Sequence, residues 1–241
     1  MQHTLTMSGG NDKNNYRISA DYRDAKGIDL RSEREEYGAR ASVMHTSKGG
    51  LFTFTANVAP RIIYRDNADW GVFKDAIEAN PTTPMMDPEN PARYYNFMGQ
   101  VVGSNPVERQ KLEQDHADTK LLDWDATVKL NLLPLLAKEG KSNHRLTTQL
   151  MFADHQYSNY NSWFRPSTST IAINNGREGE ASRSYSKDRQ QIIEWLTNYS
   201  GSFGQHNVKA MAGYSYQYSR YSGFNAENKD FPNDGLGADN L

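Results

Sequence analysis

The residues with the right chemistry for a metal site or a nucleophile are six histidines and many serines and aspartates. The histidines stand at positions 3, 45, 116, 144, 155 and 206 and form neither an H-E-x-x-H motif nor an i, i+4 pair. This spacing favours turn and strand-end positions over a metal site. No serine lies in a G-x-S-x-G motif, and no cysteine is present. We therefore predict that the chain is not an enzyme and uses no metal or cofactor.

The candidate ligand-binding segment is 157–187, which begins YSNYNSWFRPSTST. It places aromatic rings among Asn, Ser and Arg, a mixture that stacks on sugar rings or peptides while bonding to their polar edges. The predicted substrate-binding residues are Tyr157, Tyr160, Trp163, Phe164 and Arg165. The alternative is that these rings only pack the segment against its neighbours or against a partner protein.

The composition excludes several classes of protein. The formal net charge is −2, the mean hydropathy is −0.83, and only 37% of the residues are hydrophobic. Charges of both signs are scattered along the chain, so we predict no nucleic-acid partner and no polybasic membrane-surface patch. No run approaches the roughly 18 apolar residues of a transmembrane helix, which excludes a helical membrane protein.

Polar and apolar residues alternate in pairs of segments along the chain, the pattern of β-hairpins. In 120–132, for example, Leu122, Trp124 and Val128 alternate with Asp125 and Lys129. We predict eight strands in four antiparallel hairpins. Their short turns are expected at about 9–14, 47–50, 134–143 and 204–206.

Strand length and loop asymmetry bear on which face of such a sheet lies inside. The segment 207–222 and three others run for about 13–16 residues, whereas soluble strands have a mode of about 5–6. Short turns at one end and long connections at the other are typical of outer-membrane barrels. A barrel places Trp124, Val128, Tyr214 and Tyr216 on the convex side and Asp125, Lys129, Lys209 and Gln217 on the concave side. A soluble β-sandwich or jelly-roll module that binds carbohydrate stays open as the alternative.

Two long connections, 65–118 and 158–187, are expected at the end opposite the short turns. The first contains two helix patterns, at about 69–79 after Asp69 and at about 106–114 after Asn105. Pro106 suits the first helical position, and Glu108 suits the acid of a capping box. Between them NPTTPMMDPENP is too rich in proline for helix or ladder, so we predict an exposed loop.

Several stretches resemble the barrel of SusC/RagA-type TonB-dependent outer-membrane transporters. HTLTMSGGNDKNNYRISADYRDAKGI is similar to an early-barrel segment of that family, and EYGARASV to the strand that follows it. NPTTP, PSTST, GREGEASR and NKDFPND are similar to its loop segments. The resemblance spans nearly the whole chain.

The resemblance implies an all-β, plugged barrel of about 22 strands, of which about eight lie here. No signal peptide, TonB box or plug is recognised before these strands and no closing strand after them, so we interpret residues 1–241 as an internal piece of the barrel. The family imports oligosaccharides, or peptides, across the outer membrane of Gram-negative, Bacteroidota-like bacteria. The partners implied are a SusD-like surface lipoprotein, TonB acting through the plug, and the lipid bilayer.

Overall fold

The computed structural model describes residues 1–136 and 143–241. Its main element is a single antiparallel sheet whose eight strands follow one another in chain order. The strands are β1 (Gln2–Gly10), β2 (Asn14–Lys26), β3 (Glu33–Thr46), β4 (Phe52–Asp66), β5 (Gln114–Asn131), β6 (His144–Arg165), β7 (Glu180–Phe203) and β8 (His206–Lys229). The predicted all-β fold is confirmed. The sheet is open, since β1 pairs only with β2 and β8 only with β7 among the described residues.

The short turns lie together at one end of the sheet, as predicted. They occupy 11–13, 47–51 and 204–205. The connection from β5 to β6 begins with the one-turn helix α3 (Leu133–Leu136). The rest of the turn predicted at about 134–143 falls on residues 137–142, which lie outside the described residues.

The prediction of a long loop at 158–187 is wrong. Pairing between β6 and β7 continues without interruption from Ser158 opposite Lys187 to Arg165 opposite Glu180. Only 166–179 connects the two strands, and it contains the short helix α4 (Thr170–Asn174). The long-loop end of the sheet is therefore formed by the connections 27–32, 67–113 and 166–179 and by the segment after β8.

The predicted helices of the first long loop are confirmed as α1 (Gly71–Glu78) and α2 (Pro106–Leu112). Asn105 caps α2 by accepting hydrogen bonds from the amides of Val107 and Glu108. At α1 the cap residue is Trp70 and makes no side-chain cap bond, whereas Asp69 accepts from the amide of Gly71 at 2.8 Å. The proline-rich stretch is irregular, as predicted, apart from one isolated bridge between Met86 and Tyr94.

The strand register separates the sheet into two chemically different faces. Directly opposed residues of antiparallel strands share a face, and one row across the sheet reads Phe54, Val128, Leu150, Trp195 and Tyr214. We call the side with this row the apolar face. It carries the odd-numbered residues of β1, β3 and β7 and the even-numbered residues of the other strands. The opposite side is the polar face.

The predicted distribution of residues between the two faces is confirmed. Trp124, Val128, Tyr214 and Tyr216 share the apolar face, and Asp125, Lys129, Lys209 and Gln217 share the polar face. Lys129 and Lys209 also line an open depression of about 450 Å³ on the polar face. That the polar face is the concave side stays a prediction of the barrel interpretation.

Among the described residues, no second sheet covers the apolar face, and only its loop end near Phe164 is covered, by Phe231 and Ala238 of the segment after β8. Many of its large side chains are exposed, for example Leu150 at 54%, Trp195 at 44% and Tyr214 at 64%. The described residues form one sheet rather than two packed sheets, so the sandwich alternative is wrong. Within the described ranges, no helix combines the length and the apolar character needed to cross a membrane.

Candidate functional site

Strand β6 carries all five residues predicted to bind substrate, and its alternation divides them between the two faces. Tyr157, Trp163 and Arg165 belong to the polar face, whereas Tyr160 and Phe164 belong to the apolar face. Phe164 is buried against Ala181, Phe231 and Ala238. One ligand therefore cannot contact all five side chains, and the polar-face residues are the ones that can act together.

Trp163 and Arg165 form a cation–π pair within this group. The guanidinium carbon of Arg165 lies 4.9 Å from the centre of the Trp163 ring. Arg165 also donates to Glu113 and Glu180, each at 2.8 Å. These two carboxylates hold the arginine over the indole, and Trp163 and Glu180 also line a depression of about 440 Å³.

A chain of amide and hydroxyl groups crosses the polar face below this pair. Thr119 donates to the Asn159 side-chain oxygen at 2.7 Å, and Asn159 donates to Asn161 at 3.0 Å. Asn161 donates in turn to Ser184 at 3.1 Å, and Arg65 donates to Thr119 at 3.0 Å. The chain links β4, β5, β6 and β7 into a hydrogen-bonding wall that can receive the polar groups of a ligand. Sequence analysis missed it, although alternate Asn residues in SNYNS were a sign of it.

Arginine is concentrated on the polar face of β2, β3 and β4. The charged residues there are Arg17, Arg23, Arg34, Arg40, Arg61 and Arg65 against the two carboxylates Asp21 and Glu36. The linear sequence scatters these residues among acids, and only the register brings them to one surface. This part of the polar face is therefore strongly basic, which the near-neutral net charge did not indicate.

Glu36 lies at the centre of the arginine group. It is 4% exposed, and its carboxylate is 3.0 Å from Arg34 and 3.6 Å from both Arg23 and Arg61. Arg61 also approaches Asp21 at 3.7 Å. A buried carboxylate shared by three guanidinium groups holds them in place as a preorganised cationic surface.

The long loops are joined to one another over the end of the sheet. Glu108 of α2 accepts from both the amide and the hydroxyl of Thr170 in α4. The prediction of a capping box at Glu108 is therefore wrong, because the carboxylate is directed to another loop. Asp234 accepts from the amide of Ser167 at 3.0 Å. We call this connected group of loops, 67–113, 166–179 and 230–241, the loop layer.

Burial shapes the ionisation of the charged residues in the loop layer. Burial raises the pKa of Glu108 above its ordinary value, and the two bonds from Thr170 only partly offset this effect. Arg109 bridges Asp69 and Asp75, the latter at 2.5 Å, and so ties α2 to the region of α1. Burial lowers the pKa of Arg109 from its ordinary high value. Within the part of the chain that the structure describes, no group of three or more His, Asp or Glu is placed to hold a metal ion.

No protein-family model matches the sequence, and neither does any curated protein sequence. Solved structures do match in fold. The chain is similar to the RagAB peptide importer in its "closed-closed" state and in its "open-open" state, each with a TM-score of 0.70 and 16% identity. The expected likeness to SusC/RagA-type transporters is confirmed at the level of the fold. A further structure of the RagAB peptide transporter matches with a TM-score of 0.65 and 15% identity.

The likeness to the RagAB structures extends over nearly all of this chain and only part of theirs. Each match covers 98% of this chain and 26% of the RagAB chain. The chain thus spans about a quarter of the length of the structures that it matches. It has the fold of a segment of a β-barrel transporter.

Proposed function

We propose that residues 1–241 form part of the wall of a TonB-dependent outer-membrane importer in a Gram-negative, Bacteroidota-like bacterium. The observation that carries the proposal is the division of one single-layer sheet into an apolar and a polar face over most of eight strands. In a membrane barrel, lipid covers the apolar face and water fills the polar interior. The similarity to RagAB structures over 98% of the chain supports the same architecture.

The height of the apolar face fits a lipid bilayer. On β5 the apolar residues run from Leu122 to Leu130, which at about 3.4 Å per residue and a tilt of about 40° is roughly 20 Å. Outer-membrane barrels carry an apolar band of about 25 Å. Above the band, Asp118 and Lys120 replace the apolar residues on the same face, as expected where the strand leaves the lipid.

The loop layer is the proposed extracellular end, where the importer meets a SusD-like surface lipoprotein. Exposed apolar side chains in the loop layer, such as Trp70 at 70% and Val101 at 89%, support a protein partner there. TonB would act through a plug that occupies the interior beside the polar face. Both partners are proposed for the whole transporter, of which this chain would be one segment.

The proposed cargo is a short peptide, because the similar structures are of a peptide importer. Peptides carry amides and charges that the Asn159 chain and the arginine surface can bind. Oligosaccharides are the second candidate, favoured by Tyr157 and Trp163 on the polar face. Both classes of cargo would contact the polar face.

Uptake by living cells tests this function. Deletion of the gene that encodes the whole transporter should abolish the uptake of fluorescent peptides or oligosaccharides that wild-type cells take up. Reintroduction of the gene should restore this uptake. A protonophore should abolish uptake equally, because TonB draws its energy from the proton gradient. Normal uptake in the deletion strain would contradict the proposed function.

The topology can be tested with single cysteines, since the chain has none of its own. Asn80→Cys in the loop layer should react with an impermeant maleimide on intact cells. Gln205→Cys in the turn between β7 and β8 should react only after the outer membrane is opened. Equal reaction of both sites on intact cells would contradict the proposed orientation.

A further inference from the structure

Two arginines stand directly opposite one another on the lipid side of the sheet. Arg189 of β7 is the register partner of Arg220 of β8, and both are on the apolar face just beyond its apolar band. Side chains in this relation have Cβ atoms about 4.5–5.5 Å apart, and like charges in such a pair are destabilising. An anion bound between the two guanidinium groups would attract both of them and so offset their mutual repulsion.

The surroundings of the arginine pair leave an excess of positive charge. Asp154, 2% exposed, accepts from Nε of Arg189 at 3.1 Å and from Nη2 at 2.5 Å. This carboxylate offsets one cation only. Lys187 lies two residues before Arg189 on the same face, nearer the loop end, and Lys120 lies in the same row as Lys187, two strands away. We call Arg189, Arg220 and Lys187 the basic rim. Among the described residues, Asp154 is the one carboxylate that contacts it, so the three cations are in excess.

The basic rim has a defined height on the sheet. Tyr218 precedes Arg220 on the same face and is the register partner of Gln191, and the next row below joins Tyr216 to Ile193. Aromatic residues of this kind mark the level of lipid headgroups, and cations just above them lie where anionic headgroups are found. On β3 the apolar-face residues beyond the last aromatic residue, Tyr37, are instead the acids Glu35 and Glu33, so the excess of cations is a feature of β7 and β8.

We propose that the basic rim binds the phosphate groups of an anionic lipid in the outer leaflet. The inference rests on the proposed function, because it needs the apolar face to be in lipid and the loop layer to be outside. Two guanidinium groups and one ammonium group suit a headgroup with two phosphates, each of which can accept from a guanidinium in bidentate fashion. Arg189 is positioned by Asp154, whereas Arg220 and Lys187 provide the remaining positive charge.

The test uses the whole transporter purified from outer membranes in mild detergent. The lipid retained per protein is measured by native mass spectrometry after addition of bis-phosphorylated lipid A or its dephosphorylated form. We expect the wild type to retain the phosphorylated form at least fivefold better. The double variant Arg220→Gln, Lys187→Gln should lose at least threefold of that retention. Lys209→Gln is the matched control, since it removes a cation from the polar face of β8, and it should change nothing.

Each contrary outcome has one meaning. Equal retention by the wild type and the double variant overturns the inference, and so does equal retention of the two lipid A forms. Displacement of the lipid by millimolar inorganic phosphate would assign the basic rim to free phosphate and overturn its assignment to a lipid. A chain that fractionates with soluble proteins would instead contradict the proposed function. Arg189 stays unchanged, because its loss would leave Asp154 buried without its partner.

Discussion

Glu108 in the first long loop receives two hydrogen bonds from Thr170 in the second, one from its amide at 2.6 Å and one from its hydroxyl. Thr170→Val keeps the shape of the side chain and removes the hydroxyl donor. We expect the loop layer to lose about 1 kcal/mol of stability, which corresponds to roughly fivefold faster hydrogen exchange of the amides in α2 and α4. Thr168→Val is the control, since Thr168 is exposed, and equal effects of both changes would contradict the role of this contact.

The raised pKa of Glu108 predicts that the loop layer is more stable in mild acid. Its ordinary value is 4.5, and burial raises the folded-state pKa above this. The folded loops therefore bind the proton more tightly than the unfolded loops do. The stabilisation is complete below about pH 4.5 and is lost as the pH rises through the folded-state pKa. Protection factors of α2 amides should be higher at pH 5 than at pH 7, and Glu108→Gln should make them equal.

Glu36 and Glu33 provide a comparison between a buried and an exposed carboxylate of one strand. Glu36→Gln removes the charge that three arginines share, so we expect a loss of about 1–3 kcal/mol in the urea unfolding of the whole transporter in detergent. Glu33→Gln removes the partner of Lys26 in a pair that is 50% and 67% exposed, and should cost less than about 1 kcal/mol. A loss of the same size from both changes would show that the arginine surface does not depend on Glu36.

Trp163 and Tyr160 are three residues apart on β6 and belong to opposite faces. If the polar face binds cargo, Trp163→Ala should weaken binding about twofold to tenfold, because aromatic stacking contributes roughly 0.5–1.5 kcal/mol. Tyr160→Ala should leave the affinity unchanged. Isothermal titration of the whole transporter with its cargo measures both. A larger effect at Tyr160 would place the binding surface elsewhere.

Residues 1–241 alone should not remain soluble in water. β8 is exposed along its whole length and pairs on one side only, and unpaired strand edges of this kind template aggregation. Most of the apolar face is also without a covering layer among the described residues. We expect aggregation without detergent and strand formation with it, as followed by light scattering and circular dichroism. A soluble monomer with cooperative thermal unfolding would contradict the barrel interpretation.

The sequence predicted the strands well where one face is apolar and poorly where both faces are polar. In Val128 and its neighbours the alternation is clear, and the hairpin turns followed from it. Around Ser158 and Asn161 both faces are polar, so the alternation disappears and a strand looks like a loop. For this reason the loop-end parts of β6 and β7, 158–165 and 180–187, were predicted to be loop. The division of the five site residues between two faces was therefore not predicted.

Contacts between loops that are far apart in the sequence could not be predicted from it. Asn105 caps α2 through a bond that spans two or three residues, and this pattern is visible in the sequence. The partner of Glu108 is 62 residues away, and nothing local distinguishes that contact from a capping box. The arginines of the polar face could not be predicted as one surface for the same reason, because only the pairing of β2, β3 and β4 brings them together.

The order in which the strands assemble follows from the connection 67–113 between β4 and β5. Every ladder joins neighbours in sequence, so β1–β4 and β5–β8 can each form quickly through connections of at most moderate length. Closing 67–113 costs roughly 3 kcal/mol more entropy than closing the two-residue turn before β8. The two halves should therefore fold first and meet last. Their polar faces suit that meeting, because the first half is rich in arginine and the second carries more acids than bases, and opposite charge speeds association.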